Sequence, residues 1–444
     1  MQQYHIKKHL TSFRVITIGF SAVILLGALI LMLPVSSAEG VFTPFGDALF
    51  TSTSAVCVTG LVVHDTGSYW STFGQAVIIT LIQIGGLGVI TVAVAFSLLS
   101  GKKVSLMQRS MMQEAISAPV VGGIVRLTGF ILKGTIIIEL LGTILMMPVF
   151  CRDFGIKGIW LSMFHSISAF CNAGFDLMGT TDAQYVSLTG YGSNIFINII
   201  VILLIVIGGI GFVTWEDICK NKFHLKKYRM QSKLILLTSF MLIVIPAIIF
   251  YFNDFAGESR GDGILNAVFQ SVTTRTAGFN TVDLTTMKGA SIMLMIMLML
   301  VGGSPGSTAG GMKTTTLAVL LANMMATFRK RKNANVFNRR IANETVKNAA
   351  TIAMMYLMLF VTGGFLISVF EGLPVGDCLF EAASAVGTVG LTLGITPQLG
   401  LASKIVLMIL MFMGRIGGLT LIYAAFSGSG NTIAKLPEEK ITVG

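Results

Sequence analysis

The stretch FGDALFTSTSAVCVTGLVV, Phe45 to Val63, occurs in recognisable form four times in this chain of 444 residues. The other copies are GIWLSMFHSISAFCNAGFD (158–176), GILNAVFQSVTTRTAGFNT (263–281) and VGDCLFEAASAVGTVGLTL (375–393). Each copy contains one aligned glycine, and these four residues are Gly60, Gly174, Gly278 and Gly390. The first and fourth copies share seven further residues in register. A repeat of this kind fixes the architecture before single elements are assigned.

The composition places the chain in a lipid bilayer. Hydrophobic residues make up 54% of it and charged residues only 11%, whereas about 25% charged residues is usual in soluble proteins. Several stretches almost free of charge are long enough to cross a membrane, which takes roughly 20 apolar residues. We predict eight spans within them, at residues 15–33, 73–100, 134–150, 188–214, 234–252, 289–312, 348–370 and 405–427.

The distribution of basic residues predicts how the chain is oriented. The net charge is +11, and with a cytoplasmic N-terminus 23 of the 31 lysines and arginines fall in the inner segments. This asymmetry is the positive-inside pattern of membrane proteins. It predicts that both termini are cytoplasmic, and it explains the positive charge without a nucleic-acid partner. The basic inner segments 220–233 and 329–340 are expected to contact anionic membrane lipid or an acidic partner.

The repeated stretch lies between successive spans and is too short to cross the membrane itself. A helix of about 10 to 14 residues covers roughly 15 to 20 Å, so the chain must enter the bilayer and turn back. Non-helical backbone at that depth is tolerated only where it is buried in protein or lines water. Four such loops around one axis enclose a pore. The predicted fold is an all-α integral membrane protein with four repeats of span, pore helix and span around a pseudo-fourfold central pore.

The repeats divide the chain into four units, each with one pore helix and one glycine loop. We predict these units at residues 1–100, 101–215, 216–340 and 341–444. Within them, the pore helix and its loop are expected at residues 45–61, 158–175, 263–279 and 375–391.

The glycine loops are candidates for a cation filter. Their backbone carbonyls can replace the hydration shell of a cation, and the pore helices direct partial negative charge at their C-terminal ends toward the ion path. Glycine permits a positive φ and a close approach of backbone to an ion. The predicted filter residues are Cys57, Val58, Thr59, Gly60, Asn172, Ala173, Gly174, Thr276, Ala277, Gly278, Thr388, Val389 and Gly390.

The four loops CVTGL, CNAGF, RTAGF and GTVGL resemble the four degenerate filters of the Trk/Ktr/HKT superfamily of potassium transporters. The resemblance covers essentially the whole chain, and its length and short N-terminus are similar to the KtrB group, the membrane subunits of the bacterial Ktr system. In that superfamily, glycine in all four filters accompanies K⁺ selectivity, so K⁺ is the implied transported ion.

The resemblance also implies the setting in which the chain works. It implies a multi-pass protein of the bacterial plasma membrane that forms a homodimer. It further implies a cytosolic KtrA-like nucleotide-binding ring as partner, with ATP or ADP bound on that partner only, and it allows stimulation by Na⁺. No cofactor is expected in this chain itself.

The stretch GGSPGSTAGGMKTTT, 302–316, differs from a phosphate-binding loop, G-x-x-x-x-G-K-[ST], by one extra residue. No strand precedes it, so a nucleotide site is not expected. As a single helix, residues 289–328 would be about 60 Å long, about twice the hydrocarbon thickness, so the helix must break inside the membrane. We predict an intramembrane gating loop at 302–311, which the superfamily resemblance also implies. The predicted gate residues are Gly302, Gly303, Ser304, Pro305, Gly306, Ser307, Thr308, Ala309, Gly310, Gly311, Lys313 and Arg415.

Two further glycine runs, IGGLG at 84–88 and IGGIG at 207–211, stand at corresponding places in the first and second repeats. For these runs we favour close helix packing, which small residues permit in membranes.

Several charged side chains fall within or beside the hydrophobic segments. Arg415 is expected to hydrogen-bond carbonyls of the gating loop and to add an electrostatic barrier, because a charge at this depth is costly without a partner. Lys313 either shares that barrier or marks the inner end of the loop. Arg275 is expected to cap the third filter on its outer side. Glu139 is the one acid in mid-span, and both a structural pairing and a role in transport fit it.

Other classes of function remain alternatives. A secondary carrier for another small cation or solute also fits broken membrane helices, although such carriers usually contain two repeats rather than four. An enzyme is not expected, because the sequence contains no zinc motif, no paired carboxylates and no nucleophile with a base. The five cysteines form no C-x-x-C pair and predict no metal cluster.

Overall fold

The structure is a computed structural model of the chain, and it describes residues 12–89, 91–94, 104–116 and 122–417. Within these ranges the chain is helical except for loops and one hairpin, whose two strands are two residues long each. The C-terminal ends of two predicted spans, 73–100 and 405–427, lie outside the described residues, and so do the two termini of the chain.

The first repeat contains a long outer helix, a buried pore helix and an inner helix. These are α1 (Ser12–Leu31), α2 (Phe45–Val56) and α4 (Thr72–Leu87), with the single turn α3 (Thr66–Tyr69) before α4. Pro44 precedes the pore helix and Ser71 caps α4 by accepting a hydrogen bond from the Gly74 N–H at 3.2 Å. Proline and serine at these positions are typical helix start signals.

The second repeat follows the same order. The connecting helix α5 (Leu106–Ile116) leads to the outer helix α6 (Ile124–Phe154) and the pore helix α7 (Lys157–Cys171). The inner helix is α8 (Ile195–Gly209), and after a bend of 100° the chain continues as α9 (Phe212–Asn221).

The third repeat has the most interrupted inner helix. Its outer helix α10 (Met230–Phe250) ends in a π-helical turn at Tyr251–Phe255, and the pore helix is α11 (Arg260–Thr273). The inner segment consists of α12 (Gly289–Leu300) and α13 (Thr314–Phe328), which are joined by the 302–311 loop. A short antiparallel hairpin of β1 (Asn335–Val336) and β2 (Arg339–Arg340) follows.

The fourth repeat contains the outer helix α14 (Asn343–Glu371), the pore helix α15 (Val375–Gly387) and the inner helix α16 (Leu401–Ile416). The predicted division at 340/341 therefore falls directly after β2. The division at 215/216 falls inside α9, and the one at 100/101 lies outside the described residues.

The outer helices are the long spans of this fold. In the described part of the chain, α1, α6, α10 with its π turn, and α14 are each long and apolar enough to cross a membrane, and α8 with α9 forms a fifth, bent candidate. The inner helices α4, α12 and the post-break helix α13 are apolar but shorter. Large apolar side chains on the outer helices, such as Leu140, Phe240 and Met358, are exposed, as expected for a surface covered by lipid.

The pore helices form the core. Each buries at least one phenylalanine completely, and these include Phe50, Phe164, Phe269 and Phe380. Each pore helix packs against the outer helix of its own repeat. The predicted architecture of four span, pore-helix, span repeats around a central axis is thus confirmed.

The inner helices differ from the sequence expectation in one respect. Close packing explains part of the glycine runs, because a Cβ built on Gly85 or on Gly208 would lie 2.0 Å from a carbonyl oxygen of the pore helix in the same repeat. However, the helices also end there, at Gly88, Gly211 and Gly417, with φ of 86°, 92° and 87°. A left-handed φ ends an α-helix and favours glycine, so the inner helices of the first, second and fourth repeats also end at these glycine runs.

Candidate ion-conduction site

The pore helices bring four glycine loops together on one axis. Every aligned glycine has a left-handed φ, with values of 93°, 68°, 81° and 93° at Gly60, Gly174, Gly278 and Gly390. A side chain at such a φ is strained, which explains why glycine recurs at this position.

The loops contact one another in cyclic order. A Cβ built on Gly60 would lie 2.5 Å from the carbonyl oxygen of Ala173, and one built on Gly174 would lie 2.8 Å from that of Ala277. The same construction places Gly278 at 2.3 Å from the Val389 oxygen and Gly390 at 2.2 Å from the Thr59 oxygen. Each glycine therefore faces the carbonyl that precedes the glycine of the next repeat. No side chain fits at any of the four positions.

The residue two positions before each glycine is also left-handed. These residues are Val58, Asn172, Thr276 and Thr388, with φ between 51° and 71°. None of them is glycine, and for β-branched residues a positive φ is a strained outlier. Such strain persists only where the surrounding structure holds the backbone, and it is concentrated at functional sites.

Backbone hydrogen bonds hold these loops against their pore helices. The N–H groups of Thr59, Ala173 and Val389 donate to carbonyls of the pore helix at 2.8 Å, and their acceptors are Ser54, Ser168 and Ser384. In the third repeat the bond comes from the Ala277 N–H to Thr273 at 3.0 Å, one residue closer along the chain. The third loop is therefore built on a slightly shorter turn, in line with its divergent sequence.

Four hydroxyl groups brace the same loops. The Gly60 and Gly390 N–H groups donate to the hydroxyls of Ser54 and Ser384 at 3.1 and 3.0 Å. In the other two repeats the hydroxyl donates instead, from Ser168 to the Phe175 carbonyl and from Thr273 to the Phe279 carbonyl, each at 2.7 Å. In the sequence, Ser54, Ser168 and Ser384 each stand six residues before the filter glycine of their repeat. This spacing could have predicted the hydroxyl contacts in three repeats. In the third repeat the corresponding hydroxyl, that of Thr273, stands five residues before the glycine instead of six.

The 302–311 loop is a compact structure closed on itself. The Gly302 N–H donates to the Met312 carbonyl at 2.7 Å, and the Gly303 N–H donates to Gly310 at 3.3 Å. The hydroxyls of Ser304 and Thr314 are 3.0 Å apart. These contacts bring the two ends of the loop together.

On one side the loop is fastened to the break in the second repeat. The N–H groups of Ser304 and Thr308 donate to the carbonyls of Gly209 and Gly208 at 3.0 and 3.2 Å. In return, the Phe212 N–H donates to the Gly306 carbonyl at 2.7 Å. The Thr308 hydroxyl also donates to the Phe170 carbonyl, at the C-terminal end of the second pore helix, at 2.9 Å.

On the other side the loop contacts the fourth repeat. The Gly311 N–H donates to the Gly414 carbonyl of α16 at 3.1 Å. A Cβ built on Gly310 would lie 2.2 Å from the Thr388 hydroxyl oxygen, and one on Gly311 would lie 2.8 Å from the Gly387 carbonyl. The structure therefore brings the predicted gate residues into direct contact with a predicted filter residue.

Two cationic side chains bind carbonyls of this loop. The Arg415 guanidinium donates to the Thr308 carbonyl and to the carbonyls of Gly85 and Gly86 in the neighbouring first repeat. The Lys313 ammonium donates to Ala309 at 2.9 Å and to Gly310 at 3.4 Å. Arg415 thus links the fourth repeat to the third and the first through one side chain. Such carbonyl partners are what a charge at this depth requires.

A cavity of about 220 Å³ lies beside the loop. Its lining includes Arg415, Lys313, Glu114, Tyr356 and Phe20. The Tyr356 hydroxyl donates to the Gly414 carbonyl at 3.3 Å, next to the point where the loop is attached. Both cations that bind the loop therefore line this cavity.

Arg275 lies elsewhere than expected. It is buried behind the third glycine loop, where its guanidinium donates to the Ser239 hydroxyl at 3.2 Å. With Gly209 and Gly303 it lines a cavity of about 10 Å³. The prediction that Arg275 caps the outer side of the filter is therefore wrong. The pore helix α11 ends farther before its filter glycine than the other pore helices do, and the Arg275 side chain lies toward α8 and the 302–311 loop.

The geometry of the 302–311 loop argues against a phosphate site. Its N–H groups at Gly302, Gly303, Ser304, Thr308 and Gly311 all donate to carbonyls of the protein, whereas a phosphate-binding loop directs such groups at its ligand. The segments before and after it are the helices α12 and α13. In the described part of the chain, no group of three or more His, Cys, Asp or Glu side chains could hold a metal ion.

The chain is similar to known proteins over almost all of its length. The family model "TrkH: Cation transport protein" matches residues 9–433. The chain is 39% identical to the potassium/sodium uptake protein NtpJ of Enterococcus hirae, covering 99% of this chain and 98% of that protein. It is 36% identical to the Ktr system potassium uptake protein B of Bacillus subtilis, with 97% and 96% covered, and 33% identical to that of Vibrio alginolyticus, with 97% and 94% covered.

A solved structure has the same fold. The potassium transporter TrkH from Vibrio parahaemolyticus superimposes with a TM-score of 0.73 at 18% identity, covering 94% of this chain and 86% of that one. The resemblance predicted from the four glycine loops is confirmed by these matches. This chain belongs to the TrkH family of cation transport proteins.

Proposed function

We propose that this protein is the ion-translocating membrane subunit of a potassium uptake system, and that K⁺ passes through the ring of glycine loops. The observation that carries the proposal is the cyclic contact of Gly60, Gly174, Gly278 and Gly390, each against the carbonyl of the next repeat. Backbone carbonyls arranged around an axis can replace the water shell of a monovalent cation. The potassium uptake proteins among the relatives support K⁺ as the ion.

The strained residues next to the glycines support the same role. Left-handed backbone at Val58, Asn172, Thr276 and Thr388 alternates with the left-handed glycines. The carbonyls of the four loops are then fixed by the pore helices and by the hydroxyl braces rather than by side-chain packing in the pore. Rigid carbonyl placement is what discrimination between K⁺ and the smaller Na⁺ requires.

The 302–311 loop serves as the gate in this proposal. It packs against the fourth glycine loop through Gly310 and Thr388, so it lies across the path below the filter. Arg415 and Lys313 bind its carbonyls and add positive charge to the same place. A cation that leaves the filter meets both an obstruction and electrostatic repulsion until the loop moves.

The setting of the subunit follows from the relatives and the sequence. We propose a bacterial plasma-membrane protein with both termini cytoplasmic, active as a homodimer under a cytosolic nucleotide-binding ring that binds ATP or ADP. Two of the relatives are Ktr system potassium uptake proteins, and NtpJ is a potassium/sodium uptake protein. These names support a regulatory partner and a test of Na⁺ stimulation. The basic segment 329–340 is the proposed contact for anionic lipid or for that partner.

A second candidate is a secondary carrier for another small cation or solute. One observation favours it, namely that the inner helix of the second repeat is bent by 100° at its glycine run, in addition to the interruption in the third repeat. Broken helices are typical of carriers, whose halves rock around a central site. Fourfold rather than twofold repetition argues for the potassium pathway.

Uptake measurements test the proposal. The protein is expressed in bacterial cells that lack their own K⁺ uptake, and the purified protein is reconstituted in liposomes loaded with K⁺. We expect growth of the cells at low external K⁺ and accumulation of radioactive Rb⁺ by the liposomes, with Na⁺ a poor competitor. Uptake of organic solutes without Rb⁺ flux would support the carrier instead, and absence of both would refute the proposal.

A further inference from the structure

Glu139 is a buried acid whose surroundings differ from those of its counterparts in other repeats. It lies on the outer helix α6 and is 7% exposed. In the described part of the chain no lysine or arginine forms an ion pair with it. A carboxyl group at membrane depth is costly, and its presence there points to a function with a nearby partner.

The fold does not need an acid at this position. In three repeats a serine of the pore helix donates to a carbonyl of the outer helix at 2.7 Å, and the acceptors are Ile24, Glu139 and Ile243. The donors are Ser52, Ser166 and Ser271. The backbone contact between outer helix and pore helix is therefore made equally well by isoleucine in the first and third repeats. The carboxyl group of Glu139 is therefore not needed for this contact between the two helices.

The carboxyl group contacts two other polar side chains. Its Oε2 accepts a hydrogen bond from Nε2 of Gln83 at 3.3 Å, and its Oε1 accepts from the Cys171 thiol at 4.0 Å. The thiol is also 3.6 Å from Oε1 of Gln83. These three residues, which we call the Glu139 cluster, thus contact one another pairwise.

Gln83 is as unusual in its repeat as Glu139. It stands two residues before Gly85, the inner-helix glycine that packs against its own pore helix. Two residues before the corresponding Gly208 and Gly414 stand Val206 and Phe412. Both members of the polar pair therefore replace apolar residues, and they occur together at the contact between the first and second repeats.

The cluster lies between the proposed filter and the proposed gate. Cys171 is the last residue of the second pore helix, and Asn172 of the glycine loop follows it. A Cβ built on Gly86 would lie 2.7 Å from the Cys171 sulfur, so α4 packs directly on this residue. The carbonyl of the same Gly86 accepts a hydrogen bond from Arg415 at 2.9 Å. One set of contacts therefore fixes the base of the second glycine loop and the acceptor of Arg415.

We propose that Glu139 is a positioning residue for the second filter loop, acting through Cys171 and Gln83, and that it contributes to K⁺ selectivity without contacting the ion. The proposal rests on the filter proposed above. It predicts that the carboxyl group can be removed without loss of the fold, because isoleucine occupies the corresponding position twice in this chain. It also predicts that Glu139 and Gln83 act as a unit.

The test is a set of substitutions read out by ion competition in liposomes. Glu139→Ile should insert and purify like the unmodified protein, while its preference for Rb⁺ over Na⁺ falls about fivefold, the effect of losing one buried hydrogen bond. Glu139→Gln should restore most of the preference, because its amide oxygen can still accept from Gln83. The matched control is Ile24→Val at the corresponding position of the first repeat, which should leave the preference unchanged.

A double substitution separates positioning from general loosening. If the two side chains act together, Glu139→Ile with Gln83→Leu should reduce the preference no further than either change alone. Unchanged ion preference in Glu139→Ile, or fully additive losses in the double variant, would overturn the inference. If Glu139→Ile fails to fold, the expectation that isoleucine is tolerated at this position is wrong. The single variant Gln83→Leu then tests the inference, and a normal ion preference in that variant would overturn it. Absence of Rb⁺ transport by the unmodified protein would instead refute the proposed function.

Discussion

Gly310 of the 302–311 loop lies directly against Thr388 of the fourth glycine loop, so that a Cβ on Gly310 would fall 2.2 Å from the Thr388 hydroxyl oxygen. Thr388 has a left-handed backbone and stands two residues before Gly390. The two segments proposed as gate and filter therefore share an interface without room for one methyl group. A change in the position of either segment must be felt by the other.

The substitution Gly310→Ala tests this interface. The added methyl overlaps the Thr388 side chain, and overpacking of this kind typically costs about 1–3 kcal/mol unless the structure shifts. The loop is the part that can shift, so we expect it to leave its closed position and the Rb⁺ flux into liposomes to rise. The matched control is Gly289→Ala at the start of α12, where nothing lies within 4 Å of the added Cβ. Equal flux in both variants would contradict the prediction.

Serine at a filter glycine should weaken ion discrimination. In Gly60→Ser the new side chain is strained by a φ of 93° and meets the Ala173 carbonyl at 2.5 Å. Gly278→Ser has the same conflict with the Val389 carbonyl at 2.3 Å. Displaced carbonyls hold K⁺ less well, so competition by Na⁺ against Rb⁺ uptake should increase in both variants. A selectivity equal to that of the unmodified protein would show that these carbonyls do not select the ion.

Removal of the loop tip should open the pathway. Deletion of residues 305–310 eliminates the contact with Thr388, the Thr308 acceptor of Arg415 and the Gly306 carbonyl bound by Phe212. We expect a correctly inserted variant with faster Rb⁺ flux, because the proposed obstruction below the filter is removed. Insertion is checked by gel filtration in detergent. An inserted variant with normal flux would rule the loop out as a gate.

Replacement of Arg415 separates charge from packing. Arg415→Ala removes the bonds to Thr308, Gly85 and Gly86 and one positive charge, so the closed loop loses a fastening and the electrostatic barrier falls. Flux should rise. In Arg415→Lys the charge remains but a single ammonium cannot reach the loop and the first repeat together, so an intermediate flux is expected. Normal flux in Arg415→Ala would leave this residue a packing element.

The ion pair between Asp47 and Lys404 should contribute to stability at the contact of the first and fourth repeats. Lys404 of α16 donates to Asp47 of α2 at 2.9 Å, and His64 lies 3.2 Å from the other carboxylate oxygen. Asp47→Asn should lower the free energy of unfolding by on the order of 1 kcal/mol, seen as a lower thermal midpoint in detergent. Asp377 holds the same place in the fourth pore helix and has no ion pair in the described part of the chain, so Asp377→Asn is the control. Equal midpoints would refute this contribution.

Much of the architecture was predictable because it follows from local chemistry. Amphipathic stretches that lie between membrane spans and are too short to cross must be re-entrant. Their repetition in the sequence showed that there are four of them. The break after α12 was predictable from length alone, since residues 289–328 exceed the membrane as one helix. The helix ends at Gly88, Gly211 and Gly417 were not, because a glycine run is equally consistent with a packing surface and with a helix end.

The contacts between repeats were the part that sequence could not give. Nothing local relates Gly60 to Ala173, Arg415 to Gly86, or Glu139 to Gln83, since each pair joins different repeats. The position of Arg275 was missed for a similar reason, because the third pore helix ends slightly earlier before its filter glycine than the others do, and this side chain lies away from the expected side.

The sequence by itself determined that the chain is membrane-embedded, fourfold repeated and equipped with a glycine at the centre of each repeat, because polarity, periodicity and conformational freedom are properties of residues and their spacing. Only the tertiary structure decided which carbonyl each glycine faces and which carbonyls outside the gating loop Arg415 binds. Those are distances between segments far apart in the chain, and they exist only once the helices have packed around the axis.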